Sequence, residues 1–380
     1  MKNIYNLDLY FNSIKYHIYY FDVLIKKTYI TKEALLKELD IPYMTYKRAK
    51  EYDSKAGFKM VNKLDDYFNI CPLDDSKKLE YEETLNNLIN RFYYRSANIR
   101  ELEPKIAEYI SENNYLKPLF MLMQLVVKLV KVKNLKKLLE ENKEVFEELK
   151  LYAKKYFVSP FIELFTFVEI LYYENKPYDV EFNKNISEDM KGVLYNGFAA
   201  NAILSQNYGL CLHYCNECRN HLIKDHNYGR LIFVNLIYFA CLNKIGEYKK
   251  CFGESRRQLM YLMESMYNEE LVKATSLHYY TACLGLNDFV EIINSINNKQ
   301  IFSSNDYIFI LLASYKYDKK IFQKYLSQYI EEEKRFTNKQ NEYINLIIMF
   351  IKEKNKPLIK DKIIKSELNI GLKEILLTKF

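Results

Sequence analysis

The chain has 380 residues, of which 49% are hydrophobic, 16% aromatic and 28% charged, and its net charge at pH 7 is +7. This length and apolar content predict a sizeable core and two or three domains. Nine glycines and seven prolines are few for tight turns and bulges, which disfavours a strand-rich fold and predicts an all-α protein. The modest positive charge permits nucleic-acid binding without requiring it.

The N-terminal segment "MKNIYNLDLYFNSIKYHIYY" contains Asp8 and Lys15, where a signal peptide needs an unbroken apolar run. The longest uncharged apolar stretch, residues 231–242, is shorter than the roughly 20 residues that span a membrane. Seven cysteines, an odd number, argue against a secreted disulfide framework. We therefore expect a soluble, cytoplasmic protein without a membrane partner.

Residues 31–70 predict three short helices in succession. Thr31 is a suitable N-cap for the first helix, and the sequence Asp-Ile-Pro at 40–42 ends it because proline disfavours helix at the preceding residue. The second helix is "YMTYKRAKE", 43–51. We expect Ser54 to cap the third helix, whose apolar side chains share one face: Phe58, Val61, Leu64 and Phe68.

Helix, short turn, basic helix and supporting helix is the helix-turn-helix arrangement of DNA-binding proteins. In the second helix, Tyr46 and Ala49 are spaced to face inward. The outward side chains supply donors for base edges and phosphates and apolar contacts for a thymine methyl group. These candidate DNA contacts are Tyr43, Met44, Thr45, Lys47 and Arg48. A small helical bundle with a charged, solvated face is the alternative interpretation.

The run "LLKELDIP", 35–42, resembles the lambda-repressor-type (XRE) helix-turn-helix. It departs from that pattern at Leu36, where alanine is usual, and at Asp40, where glycine is usual. Residues 1–70 carry only a small excess of basic over acidic side chains, so one such domain would bind DNA weakly. A homodimer that reads two half-sites of a palindromic operator would overcome this weakness.

The polar segment "CPLDDSKK", 71–78, predicts a boundary after a DNA-binding domain at 1–72. Helical patterns then fill 80–355 almost without pause, which predicts an α-solenoid, and we expect 356–380 to be a capping or dimer-contact segment. The predicted helices are 80–96, 100–113, 115–131, 133–155, 158–173, 186–205, 207–224, 227–243, 245–266, 269–285, 287–296, 304–316, 318–332 and 335–353. An internal echo supports repeats, because "SQNYGLCL" (205–212), "KIGEYKKC" (244–251) and "GLNDFVEI" (285–292) align. The aligned aromatic residues, Tyr208, Tyr248 and Phe289, resemble those at the turn of a tetratricopeptide (TPR) repeat.

Cys211, Cys215 and Cys218 have the C-x3-C-x2-C spacing of radical enzymes that hold an iron–sulfur cluster. At helical spacing, however, they form a stripe along one face instead of wrapping around a cluster. Buried cysteines commonly pack as small apolar residues, so we expect a packing role and no cofactor. A metal or iron–sulfur protein is the less favoured alternative. No common nucleotide-binding, zinc-protease or hydrolase motif occurs, and we expect no enzyme activity.

The order of the two parts resembles the peptide-pheromone-sensing regulators of Gram-positive bacteria, the Rgg/PlcR/PrgX/NprR/arbitrium-receptor group. The resemblance implies a homodimer, a palindromic operator in double-stranded DNA and a short peptide bound in the concave face of the solenoid. An asparagine side chain has a donor and an acceptor, so it can pair with one peptide unit. The candidate peptide-binding residues are Asn196, Asn235 and Asn243. A solenoid adaptor that binds other proteins without DNA is the rival interpretation.

Overall fold

The structure is a computed structural model that describes residues 7–51, 55–95, 97–130, 135–173, 187–265, 268–299, 301–353, 357–368 and 370–378. Helices and connecting turns make up these ranges, and no strand occurs within them. The prediction of an all-α protein is therefore confirmed. The helix-turn-helix and TPR-like solenoid stay predictions.

The α-helices are numbered α1 to α22 in chain order. Helices α1 to α11 are Asp8–Asn12, Ile14–Lys27, Lys32–Glu38, Tyr43–Arg48, Lys55–Phe68, Asp75–Tyr93, Glu103–Ser111, Lys117–Val130, Leu135–Glu141, Lys143–Ala153 and Phe161–Tyr172. Helices α12 to α22 are Glu188–Leu204, Tyr208–Lys224, Tyr228–Lys244, Tyr248–Glu264, Glu269–Leu286, Phe289–Asn297, Ser304–Tyr317, Lys319–Glu332, Asn338–Glu353, Pro357–Lys365 and Ile370–Thr378. Two short 3-10 helices, Ala97–Leu102 and Glu333–Arg335, supplement them.

The chain divides into two compact units. The first comprises Met1–Gln206 and Asn216–Leu231, and the second comprises Asn207–Cys215 and Ile232–Phe380. The division falls inside α13 and α14 and does not coincide with the limits predicted at 72–80 and 355–356, which stay predictions. The predicted boundary segment is a short loop, since α6 already begins at Asp75.

In the first unit, aromatic side chains of α2 pack into the helices that follow the N-terminal segment. The ring of His17 stacks on Tyr115 with centroids 3.9 Å apart, and its Nε2 lies 3.0 Å from the carbonyl oxygen of Tyr10. The hydroxyl of Tyr20 donates to the carbonyl of Asn114 at 3.1 Å. Helix α2 also packs on α5 and α10. These contacts join the predicted DNA-binding segment to the rest of the unit.

Equivalent turns precede several helices of the aligned segments. Tyr208, Tyr248 and Phe289, aligned from the sequence, are the first residues of α13, α15 and α17. Two positions before each of them, the backbone φ is positive: 57° at Gln206, 83° at Gly246 and 60° at Asn287. His226, two positions before the start of α14, has a φ of 54°. A left-handed residue is a common helix end, so the internal echo corresponds to a repeated turn geometry.

One predicted helix is interrupted. The segment predicted as a single helix over 133–155 contains α9 and α10, separated at Asn142. The amide of Asn142 donates to the carbonyl of Leu138 at 2.8 Å, and its Oδ1 accepts from Lys128 Nζ at 3.0 Å. Asparagine side chains compete in this way with the helix backbone.

The larger apolar core of the second unit includes α22, the last helix that the structure describes. Helix α22 packs on α16 and buries Leu372, Ile375 and Leu376. Lys244 Nζ forms an ion pair with Glu374 Oε2 at 2.5 Å. The C-terminal helix therefore covers apolar surface of its own unit.

Candidate functional site

The turn between α3 and α4 is held by capping bonds. The hydroxyl of Thr31 accepts a hydrogen bond from the backbone of Ala34 at 3.3 Å, as its predicted N-cap role requires. Asp40 has a φ of 50°, the left-handed conformation for which glycine is usual at this turn. Aspartate is among the residues that adopt it at low cost. Lys63 Nζ donates to the carbonyls of Leu39 at 2.9 Å and Asp40 at 3.0 Å.

Helix α4 exposes most of the side chains predicted to contact DNA. Tyr43 and Met44 are 51% and 54% exposed. Lys47 and Arg48 are also exposed, whereas Thr45 is half-buried. On the opposite edge the inward residues are buried as predicted: Tyr46 and Ala49. The helix therefore presents its aromatic and basic side chains to solvent and anchors itself by the other edge.

One prediction for the supporting helix α5 is wrong. Phe58 was expected on the inward face, but its side chain is 47% exposed. The buried stripe instead begins one residue earlier, at Gly57, and continues through Met60, Val61 and Leu64. Ser54, the predicted cap of this helix, lies outside the described residues.

Asp22 of α2 fixes the position of α4. Its Oδ1 accepts from the hydroxyl of Tyr46 at 2.9 Å and from Lys32 Nζ, and its Oδ2 accepts from Lys50 Nζ at 2.6 Å. Burial alone would raise the pKa of Asp22, but the hydrogen bonds from Lys32, Lys50 and Tyr46 lower it below its ordinary value. This role of Asp22 could not be predicted from the sequence, because its partners lie 10 to 28 positions away. The one signal was an acidic residue alone in an otherwise apolar and basic helix.

Four basic side chains of this region are available to phosphates. Within the described ranges, no ion pair is formed by Lys37, Lys47, Arg48 or Lys59. Lys32 and Lys50, by contrast, are held by Asp22. Two of these four unpaired cations, Lys47 and Arg48, belong to the exposed edge of α4 itself.

Asn196 of α12, the first candidate peptide contact, is only 4% exposed. Its Oδ1 accepts a hydrogen bond from Arg230 Nη1 at 3.0 Å. Arg230 is fully buried. Its Nε donates to the carbonyl of Tyr93 at 2.9 Å, its Nη2 donates to the carbonyl of Phe92, and its guanidinium lies 4.5 Å from the centre of the Phe92 ring.

The acceptors that hold Arg230 are all neutral oxygens. Burial and, to a smaller extent, the positive charge of Arg95 lower the pKa of Arg230 to about 9. A buried cation is usually paired with a carboxylate, so this site is unusual in holding its charge with carbonyl groups. The buried position of Arg230 could not be predicted from the sequence, because an arginine at the start of a helix is ordinarily a solvated residue.

Asn235 and Asn243 lie on α14 in the second unit and have similar surroundings. Asn235 Nδ2 donates to Gln258 Oε1 at 2.8 Å, and Asn243 Nδ2 donates to the carbonyl of His278 at 3.0 Å. Among the described residues, nothing donates to the buried Oδ1 of either asparagine. Gln258 in turn donates to Thr275 Oγ1 at 3.1 Å. Each asparagine therefore keeps an acceptor for a donor from elsewhere.

His278 adds a third buried polar atom without a described partner, close to Asn243. No described residue pairs with its Nδ1, and burial lowers the pKa of this imidazole to about 4, so it is neutral at pH 7. Asn243 is fully buried, whereas Asn235 is partly exposed. Part of the Asn235 side chain is accessible to a ligand in the present conformation, but contact with its buried Oδ1, or with Asn243, requires the packing around these atoms to open.

The three cysteines of the C-x3-C-x2-C segment are buried. Cys218 Sγ donates to the carbonyl of Gly192 at 2.9 Å, and burial raises the pKa of Cys218 to about 12. The pKa of Cys211 is raised by its hydrogen bond with Cys215 and by burial. Metals bind thiolates, and no three His, Cys, Asp or Glu side chains of the described residues are grouped to hold a metal ion. The three thiols are thus buried among packed side chains, and the raised pKa of Cys211 and Cys218 keeps these two protonated at neutral pH.

Comparison of the chain with models of protein families, with curated proteins and with solved structures gave no match. Among the described helices, none combines the length and the apolar character that crossing a membrane requires.

Proposed function

We propose that the chain is a DNA-binding transcriptional regulator, and that a short peptide bound by the predicted solenoid controls it. The observation that carries the proposal is the two-sided character of α4. Its inner edge is fixed through Tyr46 and Asp22, while Lys47 and Arg48 stay exposed beside Tyr43 and Met44. A helix that enters a major groove needs a rigid support and free donors on its outer edge.

The amide side chains support the peptide as ligand. An extended peptide offers an N–H donor and a carbonyl acceptor at each residue, and Asn235 keeps a buried carbonyl oxygen without a donor among the described residues. A bound peptide N–H would satisfy that oxygen, which otherwise costs free energy. In the same way, Asn243 becomes a contact if its surroundings open.

The proposal includes a homodimer on a palindromic site. The predicted DNA-binding domain, 1–72, offers few basic side chains that are not already held in ion pairs among the described residues. Each phosphate contact adds only a modest increment to affinity. Two copies that read half-sites about one helical turn apart would double these contacts. A helical adaptor without DNA binding remains the second candidate, because it needs only the same helical scaffold.

The experiment is an electrophoretic shift with duplex DNA from upstream of the protein's own gene, at low salt. We expect the wild type to shift the duplex and Arg48→Ala to weaken binding about tenfold, the loss typical of a base or phosphate contact. The matched control is Arg257→Ala, which removes another exposed arginine, from α15. No shift with wild type would favour the adaptor, and equal weakening by both variants would refute a specific role for Arg48.

A further inference from the structure

A single buried guanidinium connects the end of α6 to Asn196. The last carbonyls of an α-helix have no partner within the helix and need a cap. Arg230 supplies it for α6 by donating to the carbonyls of Phe92 and Tyr93, and the same guanidinium donates to Oδ1 of Asn196 at 3.0 Å. Its positive charge also complements the negative end of the helix. The position of Arg230 therefore depends on α6 and on Asn196 together.

The other end of α6 lies next to the candidate DNA-binding region. Asp74 caps it by accepting from the backbone of Lys77 at 2.8 Å. The loop between α5 and α6 is pinned, because Cys71 N donates to the carbonyl of Asn113 at 2.7 Å and Asn113 Nδ2 donates to the carbonyl of Phe68 at 2.7 Å. With 19 residues, α6 is a rod of roughly 28 Å at about 1.5 Å per residue.

Asn196 retains unused hydrogen-bonding capacity, which a ligand can use once the packing around this 4% exposed side chain opens. Its Nδ2 donates to none of the residues that the structure describes, and a carbonyl oxygen has two lone pairs, of which Arg230 uses one. A peptide unit that paired with this amide would place its N–H on the oxygen that holds Arg230. Ligand binding and the capping of α6 would thus both depend on Oδ1 of Asn196.

We propose that Arg230 transmits the occupancy of Asn196 to the DNA-contacting helix α4 through the capped end of α6, an inference that rests on the proposed function. A ligand N–H on Oδ1 of Asn196 weakens the hold of that oxygen on Arg230, and the last turn of α6 loosens. The change reaches α4 through α6, the pinned loop and α5. A ligand shifts this balance only by the difference between its affinities for the two arrangements.

Two substitutions at Asn196 test the link with opposite expected signs, by hydrogen–deuterium exchange of the full chain without ligand. Asn196→Ala removes the acceptor, and we expect exchange at amides 92–95 to accelerate about tenfold, as loss of a hydrogen bond to a charged group implies. Asn196→Asp places a carboxylate against the guanidinium, so exchange at these amides slows. The amide of Ala49, which donates to the carbonyl of Thr45 in α4, shifts in the same direction in each variant.

The matched control is Asn201→Ala on the same helix. Asn201 is also buried, but its Nδ2 donates to the carbonyl of Ile170 at 2.7 Å, on α11. Unchanged exchange at 92–95 and in α4 for both Asn196 variants would overturn the link, as would an equal response to Asn201→Ala. If Asn196→Ala does not fold, Asn196→Asp decides, since slower exchange supports the link and unaltered exchange refutes it.

The electrophoretic shift separates this inference from the proposed function. Exchange that responds as expected in a chain that binds no duplex would refute DNA binding and leave the mechanical link intact. A wild type that binds duplex while both Asn196 variants keep wild-type exchange and affinity would refute the link and leave DNA binding intact.

Discussion

Asp22 receives hydrogen bonds from Tyr46 on α4, from Lys32 on α3 and from Lys50 just after α4. One carboxylate therefore sets the mutual position of three helices in the candidate DNA-binding region. Its partners are charged or phenolic groups that would be left without an acceptor in its absence, which makes its removal costly.

We expect Asp22→Asn to lower the free energy of unfolding by about 1–3 kcal/mol at neutral pH, the range for hydrogen bonds to charged groups. Urea unfolding followed by circular dichroism measures it. The control is Asp361→Asn, which removes an exposed carboxylate paired with Lys365 on α21 and should cost less than about 1 kcal/mol. Equal losses in the two variants would contradict the role assigned to Asp22.

The same substitution has a predicted pH dependence. Because the pKa of Asp22 in the folded chain is below its ordinary value, its contribution is present above the ordinary pKa. It is lost as the pH falls through the folded-state pKa. The difference between wild type and Asp22→Asn should therefore shrink when unfolding is repeated at acid pH. A difference that stays constant or grows would show that the carboxylate charge is not the source of the stability.

At the scale of elements, Gly285 permits the contact between α16 and the start of α15. A Cβ added at this position would lie 2.4 Å from two ring atoms of Tyr248, a distance that side chains do not tolerate. Tyr248 is the aromatic residue of the repeated turn, so the glycine and the aromatic ring form one packing unit. No comparable restriction exists at Gly253 of α15, where a Cβ would meet nothing within 4 Å.

The two glycines give a matched test of this packing. We expect Gly285→Ala to lower the free energy of unfolding by about 1–3 kcal/mol, because overpacking forces the ring to move. Gly253→Ala should be neutral or stabilising by up to about 1 kcal/mol, since alanine is the better helix former. Thermal unfolding of both variants measures the difference. Similar melting temperatures for the two would contradict the close approach of Gly285 and Tyr248.

The secondary-structure elements of this protein were the features that could best be predicted from its sequence. Few glycines and prolines and a strong helical periodicity predicted an all-α chain, and most predicted helices over 80–353 occur within a few residues of their expected limits. The break at Asn142 escaped prediction because it depends on where one side chain places its hydrogen bonds. The inward face of α5 was predicted with Phe58 buried, since periodicity alone does not distinguish two adjacent stripes.

At the scale of the whole molecule, the fold brings together residues that are far apart in the sequence. Arg230 lies more than 130 positions from the carbonyls of Phe92 and Tyr93 that it caps. No local pattern indicates such a pair, and composition alone places arginine at the surface. Of the candidate site, the exposed edge of α4 was predictable from helical spacing. The supporting contacts of Asp22 and Arg230 could be identified only from the tertiary structure.

The account as a whole requires the outer edge of α4 to lie against duplex DNA. Photo-cross-linking tests this most directly, with a photoreactive phenylalanine analogue placed at Met44 or, as control, at Met260. The two methionines are 54% and 55% exposed, so accessibility alone does not distinguish them. We predict a cross-link from position 44 to duplex DNA from upstream of the gene and none from position 260. Equal cross-linking at both positions, or none at position 44 under conditions where the complex forms, would contradict the account.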